Sequence, residues 1–560
     1  MPHPAHDAPV HDAPANNDPG NSDTAHGDAP RNHAAHPDLV RSGADRRESA
    51  HHIPEQLRRH FRVAIIGAGF GGICAAIRCL QSGFDDLVVF ERASAVGGTW
   101  EANTYPGAQC DIPSALYSFS FAPNPEWTRL YPLQREIQAY IARCADDFDV
   151  TPHVRCGHDV TDASWDDLAQ VWRLTVNGSV VTADVLVGAT GPFSEPAHPD
   201  IPGLDDFEGD VIHSARWDHT WSPTGKRVAV IGTGASAVQF VPRIQPKAQH
   251  LTLFQRTPTW ILPHPDRPVP RAIRRMFARV PCTQRAVRGA CSLVQELMVP
   301  GLVSHPGILK PAAALGRWHL RRQVDDDALR AALTPTYQFG CKRPTFSNKY
   351  YPALSAENAS VVTDAIVRVH PTGIETADGA VHEVDSILLG TGFKLAAGEG
   401  FSRIHGRDGR SLSDTWGTGE MAAYMGTSIA GFPNFFLILG PNSVVYTSQV
   451  VTIEAQVDYL LDALTGMRDR GIRSIDVTRA AQDRFVDEVD AGLAASVWNT
   501  GGCASYYLSP SGRNVTFWPG FVFTFRRAMR HVRWDDFDVV RATDLPGRPS
   551  VESTSAAVRR

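Results

Sequence analysis

Short apolar runs punctuate the chain, and most of them end at a glycine or a charged residue. Val63–Ile66 runs into Gly67, the run in DDLVVFE ends at Glu91, and the run in VLVGATGP, at 185–192, ends in Thr190 and Gly191 before a proline. The same design returns in KRVAVIG, HLTLFQRT and SILLGTGF. Each run reads as a strand, and the segments between them carry helical spacing. RAIRRMFARV and DDDALRAALT fall in a helical stretch at 266–335, and IEAQVDYLLDALTGM reads as an amphipathic helix. GFPNFFLILGPNS reads as one more buried strand. Strands alternating with helices predict an α/β fold.

Two of the strand–helix junctions carry chemistry. In RVAIIGAGFGGICAA the strand is followed by Gly67, Gly69 and Gly72 and then by a helix. Glycines at this spacing let the backbone approach a pyrophosphate, which the helix N-terminus then receives. The next strand ends in Glu91, 91 − 72 = 19 residues beyond the last glycine. That is close to the ~20 expected for an acid that binds a ribose 2′-hydroxyl. The second junction, KRVAVIGTGASAVQF, places Gly232, Gly234 and Ala237 in the small-residue positions, with Thr233, Ala235 and Ser236 between them. Glu91 lies 24 residues beyond Gly67, and 24 residues beyond Gly232 stands Arg256. An arginine there suits a 2′-phosphate, although it could also be a solvated strand end. The first turn therefore predicts FAD and the second NADP(H), so the fold is expected to be two Rossmann-like dinucleotide-binding domains with a helical insertion in the second.

The expected organisation is an FAD domain at 61–195 and an NADP domain at 196–388 that carries the insertion. The chain then returns to the FAD domain over 389–545. Residues 1–60 hold nine of the 22 histidines and almost no large apolar residue. They read as a solvated tail more readily than as a metal-binding tract, and 546–560 reads as a second tail. A net charge of −6 offers no global field for nucleic acid. No metal site is expected. The nine cysteines include no C-x-x-C pair, which argues against a structural zinc site and for a reducing compartment. The tail lacks the apolar stretch of a secretory signal. No run reaches the about 18 residues of a membrane span, since the nearest is broken by Gly431 and Pro433. A cytoplasmic location follows as the expectation.

Two further patterns carry a family resemblance. FEGDVIHSARWD contains Phe207, Gly209, His213, Trp217 and Asp218 at the spacing F-x-G-x-x-x-H-x-x-x-W-[P/D]. Gly97, Gly98, Trp100, Tyr105, Pro106, Gly107 and Asp111 match [A/G]-G-x-W-x4-[F/Y]-P-[G/M]-x3-D. In both, the chain resembles the type I Baeyer–Villiger monooxygenases, class B flavoprotein enzymes, over about residues 61–535. The flavoprotein disulfide reductases share the two-nucleotide plan but place a redox cysteine pair just beyond Thr99, where this chain has Trp100–Asn103; Cys74 and Cys79 read as small core residues.

The resemblance implies NADPH-driven reduction of FAD, addition of O2 to give a C4a-peroxyflavin, and insertion of one oxygen beside a ketone carbonyl. It assigns Arg343 and Asp111 to the chemistry, with Asp111 orienting Arg343. It assigns Lys342, Arg256 and Thr257 to the 2′-phosphate and Trp498 to the nicotinamide nucleotide. Phe70, Gly98, Thr99, Trp100, Gln109, Tyr117 and Val160 complete the expected cofactor contacts. His213 and Trp217 would brace the connector between the two domains, and direct proton transfer by His213 is the lesser alternative. Gln109 stands where many members have Arg, and Lys394 where an acid or amide is commoner. SVWNTGGCASYY also departs from the family pattern, so sulfide or amine oxygenation stays open beside ketone oxidation, as does a non-catalytic nucleotide sensor. Oligomeric state is left undetermined.

Overall fold

The computed structural model describes residues 60–395, 398–417 and 419–544. Both expected tails lie outside the described residues, save His60 at the start of the first strand.

Two mainly parallel sheets organise the chain. In the first, strand His60–Ile66 lies between Leu87–Glu91 and Ser179–Gly188, all three parallel. Val154–Cys156 extends one side. Strands Val160–Asp166, Val171–Val176 and Ser179–Gly188 run antiparallel to one another and extend the other. The second sheet is five-stranded and wholly parallel, in the order 359–362, 250–254, 227–231, 386–389 and 210–213. Its central strands are buried on both faces, as near-continuous apolar runs should be.

The C-terminal part returns to the first sheet. Phe435–Leu437 pairs parallel with 186–188, and helix Gln449–Arg470 packs against helix Phe70–Gln81. The long apolar segment expected as one strand contributes only these three residues. Asn434 and Leu439 have positive φ, so the backbone turns on both sides of the strand. The helical insertion is present as helices Arg271–Arg279, Pro281–Glu296, Val299–Val303, Lys310–Gln323 and Asp327–Ala332.

The connector 207–218 departs from expectation. Asp210–His213 is an edge strand of the second sheet, paired with Ser386–Leu389, and not a free linker. Phe207 is buried in a core cluster with Ile231 and Phe254. A Cβ on Gly209 would come within 2.4 Å of the Asp385 carbonyl oxygen, so only glycine fits beneath the neighbouring chain. Trp217 packs on Phe240 and Trp221, and Asp218 accepts bonds from the Thr220 amide and hydroxyl.

His213 ends this strand. Its Nδ1 accepts the Ala215 amide at 3.1 Å, and the ring faces His198 and Phe393. Burial, followed by the nearby His198, pulls its pKa from 6.5 down to about 4. The neutral ring is therefore the folded form at pH 7. Between pH 4 and 6.5 the unfolded chain binds the extra proton, so this residue makes stability fall as pH drops through that window. His213→Asn keeps an acceptor for the Ala215 amide but cannot titrate. Melting temperatures between pH 4 and 7 should fall less steeply for the variant than for the parent; equal slopes would refute the assignment.

Candidate active site between two glycine turns

The two nucleotide turns are built alike. Gly67 has φ +101°, and a Cβ there would meet the Ala189 carbonyl oxygen at 2.6 Å. Gly232 has φ +111°, and its Cβ would meet the Gly390 oxygen at 2.4 Å. Each turn is thus pressed against the end of a neighbouring strand, where no side chain fits. The helix after the first turn starts at Phe70 with Gly69 at its cap, and the helix after the second starts at Ala235 with Gly234 at its cap. Neither cap residue carries a side-chain bond, which leaves the terminal amides facing outward for an anion.

Glu91 is buried, and its two carboxylate oxygens accept the Ala68 amide at 2.7 Å and the Ala93 amide at 2.8 Å. It therefore ties the first turn to the end of the second strand while keeping lone pairs free. Gly98 lies on the first turn, since its Cβ would meet the Gly69 Cα at 2.9 Å. Thr99 opens the short helix Thr99–Ala102, and the Trp100 indole donates to the Tyr117 hydroxyl at 3.0 Å. Phe70 meets Tyr117 edge-on at 5.2 Å. These residues form one bare-backbone cradle with an aromatic wall, which fits a flavin dinucleotide. Val160 is buried with Trp165 and Trp172 in a separate core cluster.

At the second turn, the Thr233 hydroxyl donates to the Thr257 carbonyl at 2.8 Å, which holds the Arg256–Thr257 strand end beside the glycines. Burial and then the positive charge of Arg256 lower the Lys342 pKa. The two cations are thus near neighbours, and among the described residues neither forms an ion pair with a carboxylate. That fits the phosphate of NADP(H). The buried small residue Ala237 packs beneath Gly390 in the same turn, and a Ser236–Tyr105 hydroxyl contact ties it to the other domain.

Arg343 points the other way. Its Nε donates to Asp111 Oδ2 at 2.6 Å, and its guanidinium lies 5.7 Å from the Tyr446 ring centre. Burial opposes its charge, but Asp111 and Tyr446 outweigh that and hold the pKa above its ordinary value. Adjacent residues therefore turn to different partners: Lys342 lies near Arg256 and Arg343 is bonded to Asp111.

Sequence reasoning missed several supports. Gln109 donates to the Tyr131 carbonyl and to Asp266, while Gln239 accepts the Gln109 amide and donates to its carbonyl. This pairs the Asp111 loop with the helix of the second turn, and Tyr105 reaches the same Gln239 at 3.0 Å. Arg288, from the insertion, donates to the carbonyls of Ala115, Leu116 and Ser118 around Tyr117. Tyr105 lies in a family pattern and Gln109 is among the expected cofactor contacts, but no local motif marks Gln239 or Arg288, because each is defined by what it reaches across the fold.

The cysteine expectation needs correction. Cys341 and Cys503 form a disulfide across 162 residues. The other seven cysteines are free, with Cys74 and Cys79 buried in the core as expected. The bond joins the residue before Lys342 to the 497–507 segment. There Gly501 packs on Cys341 and its carbonyl accepts the Gln338 amide at 2.9 Å. Trp498 on this segment is 3% exposed and stacks on Phe517 at 3.9 Å, so its indole does not face an open groove.

Comparison with known proteins agrees with this geometry. The family described as pyridine nucleotide-disulphide oxidoreductase matches residues 61–280. A Baeyer–Villiger monooxygenase of Streptomyces coelicolor is 46% identical over 506 residues, covering 90% of this chain and 97% of that protein. Another from Pseudomonas aeruginosa is 45% identical, covering 84% and 90%. Among solved structures, an oxidized steroid monooxygenase bound to NADP superposes with a TM-score of 0.77 at 33% identity, covering 86% of this chain and all of that one. A cyclohexanone monooxygenase from Rhodococcus sp. Phi1 bound to NADP+ gives 0.77 at 29% identity, covering 86% and 99%.

The disulfide closes a long loop, so its removal should cost about 2–4 kcal/mol. Cys503→Ser should melt below the parent, and reductant should lower the parent to the same temperature while leaving the variant unchanged. A thiol count on denatured, unreduced parent should give seven; a count of nine would remove the bond.

Proposed function

This chain belongs to the Baeyer–Villiger monooxygenases, and from that premise we propose that it uses NADPH, FAD and O2 to insert one oxygen atom beside a ketone carbonyl, giving an ester or lactone. The observation that carries the assignment of roles is the split between Lys342 and Arg343. One cation serves the phosphate of the hydride donor, and its neighbour serves the oxygen chemistry.

Bound flavin supplies the chemistry of hydride acceptance and oxygen activation. The protein binds and orients. The glycine cradle and Glu91 hold FAD, while Arg256, Lys342 and Thr257 hold the 2′-phosphate of NADPH. Arg343 uses Nε for Asp111, which leaves the four N–H donors of its terminal nitrogens for negative charge developing on oxygen. The planar guanidinium stays charged throughout, and Asp111 fixes its plane. Gln109 and Gln239 keep the Asp111 loop in register with the NADP helix, so the two sites stay aligned.

Thioether oxygenation is the second reading. It rests on the 497–507 segment, which departs from the family pattern and is tied by Cys503 to the residue beside Lys342. Assays with paired ketone and thioether substrates separate the two, and sulfoxide alone across many ketones would overturn the first. A requirement for NADPH and flavin fits a cytoplasmic enzyme.

Coenzyme selection should follow Arg256. The parent should strongly prefer NADPH, and Arg256→Ala should raise the KM for NADPH with little change for NADH. Loss of a charge-assisted contact is worth about 1.5–3 kcal/mol, or roughly 10- to 100-fold. Equal efficiency of the parent with both coenzymes would contradict the assignment.

Arg343→Ala should retain FAD, because the cradle is untouched, and should accept hydride from NADPH at near-parental rate. Oxygenated product should fall about 10²–10³-fold, the scale for loss of one oxyanion donor. NADPH oxidation should then release hydrogen peroxide. Arg343→Lys should rescue poorly, since an ammonium cannot keep the Asp111 bond and present a planar fork together. Rapid-mixing spectra with parallel product measurement test this; parental product formation would remove Arg343 from the chemistry.

A further inference from the structure

The insertion carries a surface that the monooxygenase reading does not use. From residue 267 to 295 the chain has seven arginines and no acidic residue, although the whole protein has a net charge of −6. In helix Arg271–Arg279, Arg271, Arg275 and Arg279 recur at i, i+4 and i+8 and are all exposed. Ile273 and Met276 lie beside that stripe at i, i+3 spacing, and they are exposed too. An amphipathic surface helix normally buries such an apolar stripe against the core; this one does not.

The next helix continues the surface. Leu293 is 63% exposed, and Leu297, one turn on, is 65% exposed. The inner face of the same helix is already occupied, with Arg288 on the 115–118 carbonyls and Gln284 donating to the Asn124 carbonyl at 2.6 Å. Glu296, the first acid met, is spent on the Val522 amide, which its two oxygens accept at 3.1 and 3.2 Å. That bond seats helix Val522–Ala528 alongside. There Phe523 is 66% exposed, next to the exposed Arg526 and Arg527. Two segments more than 220 residues apart thus present bare apolar side chains rimmed by arginine and supply no free acid.

We propose that this face, formed by the 271–297 helical hairpin and the 522–528 helix, docks on an anionic lipid bilayer. The apolar side chains would enter the headgroup boundary, and the arginines would meet lipid phosphates. Among the described residues no helix is long and apolar enough to cross a membrane, so the contact is peripheral. A second copy of the chain is a poor occupant, because a two-fold contact would set arginine against arginine. A nucleic acid would leave Leu293 and Leu297 with nothing to cover them. The proposal is independent of the catalytic reading.

Flotation of the full-length, FAD-loaded protein with vesicles tests it. One set is a phosphatidylglycerol–phosphatidylcholine mixture and the other phosphatidylcholine alone. Binding to the anionic vesicles only, released as salt is raised, is the expected result. The paired variant Arg275→Glu/Arg279→Glu should bind roughly tenfold or more weakly. Leu293→Ser/Leu297→Ser should lose binding comparably. Both variants should keep the parental flavin spectrum and ketone turnover without vesicles, which separates a lost surface from a lost fold. No flotation of the parent with anionic vesicles overturns the proposal. So does parental binding by the serine variant with equal affinity for a short DNA duplex, which would make the face a general polyanion site. Parental binding by both variants would place the contact elsewhere and also overturn it.

Discussion

The bond from Arg343 Nε to Asp111 is the constraint on which the site turns. Asp111 comes from the loop that follows the Gly97–Gly98 turn, and Arg343 comes from beyond the helical insertion, 232 residues later. Each side is fixed before the two meet. Gly98 is pressed on Gly69, and the Asp111 loop is pinned by Gln109 to Gln239 and Asp266. Arg343 is approached by Tyr446 and Tyr507, with the disulfide two residues upstream. Both members of the ion pair are only half-buried, so the pair adds little stability of its own. Its value is directional: it sets the plane of a guanidinium whose remaining donors are left for the proposed oxygen chemistry.

Lys342 meets the opposite electrostatic problem. Arg343 is stabilised as a cation by a carboxylate already in place. Burial and Arg256 both work against the charge of Lys342, and among the described residues no acid offsets them. Two cations held close with no carboxylate partner among the described residues are costly until an anion arrives, and in the proposed reading that favours a phosphate carrying nearly two charges over a bare ribose hydroxyl. Neighbours in sequence thus meet different environments: Arg343 is satisfied by Asp111, whereas Lys342 has no carboxylate partner among the described residues.

How much of this was legible follows from distance along the chain. The glycine turns, Glu91 and Arg256 were readable because strand, turn and helix are consecutive and the 24-residue spacing repeats. Arg343 and Asp111 were identified only through motif resemblance, since nothing near either residue reveals the other. The Cys341–Cys503 bond was not anticipated because it depends on how the 497–507 segment folds back, and no spacing rule spans 162 residues. The connector was misread for a related reason. DVIH is too short to announce a strand, and it becomes one because Ser386–Leu389 offers a parallel edge.

The insertion shows the same logic acting on one element from two sides. The helix Pro281–Glu296 carries Arg288, whose three carbonyl acceptors frame Tyr117, and its far end carries Glu296, which seats the 522–528 helix. The insertion is therefore part of the frame around the proposed flavin wall and not an appendage to the NADP domain. Arginine appears on both faces for different reasons. Inside, one terminal nitrogen of Arg288 donates to the three carbonyls at the edge of the aromatic wall. Outside, Arg274 pairs with Glu126, while Arg271, Arg275, Arg279 and Arg285 form no ion pair among the described residues. Composition alone makes the stretch look uniformly basic; only the fold separates the arginine committed to structure from those left to meet something else.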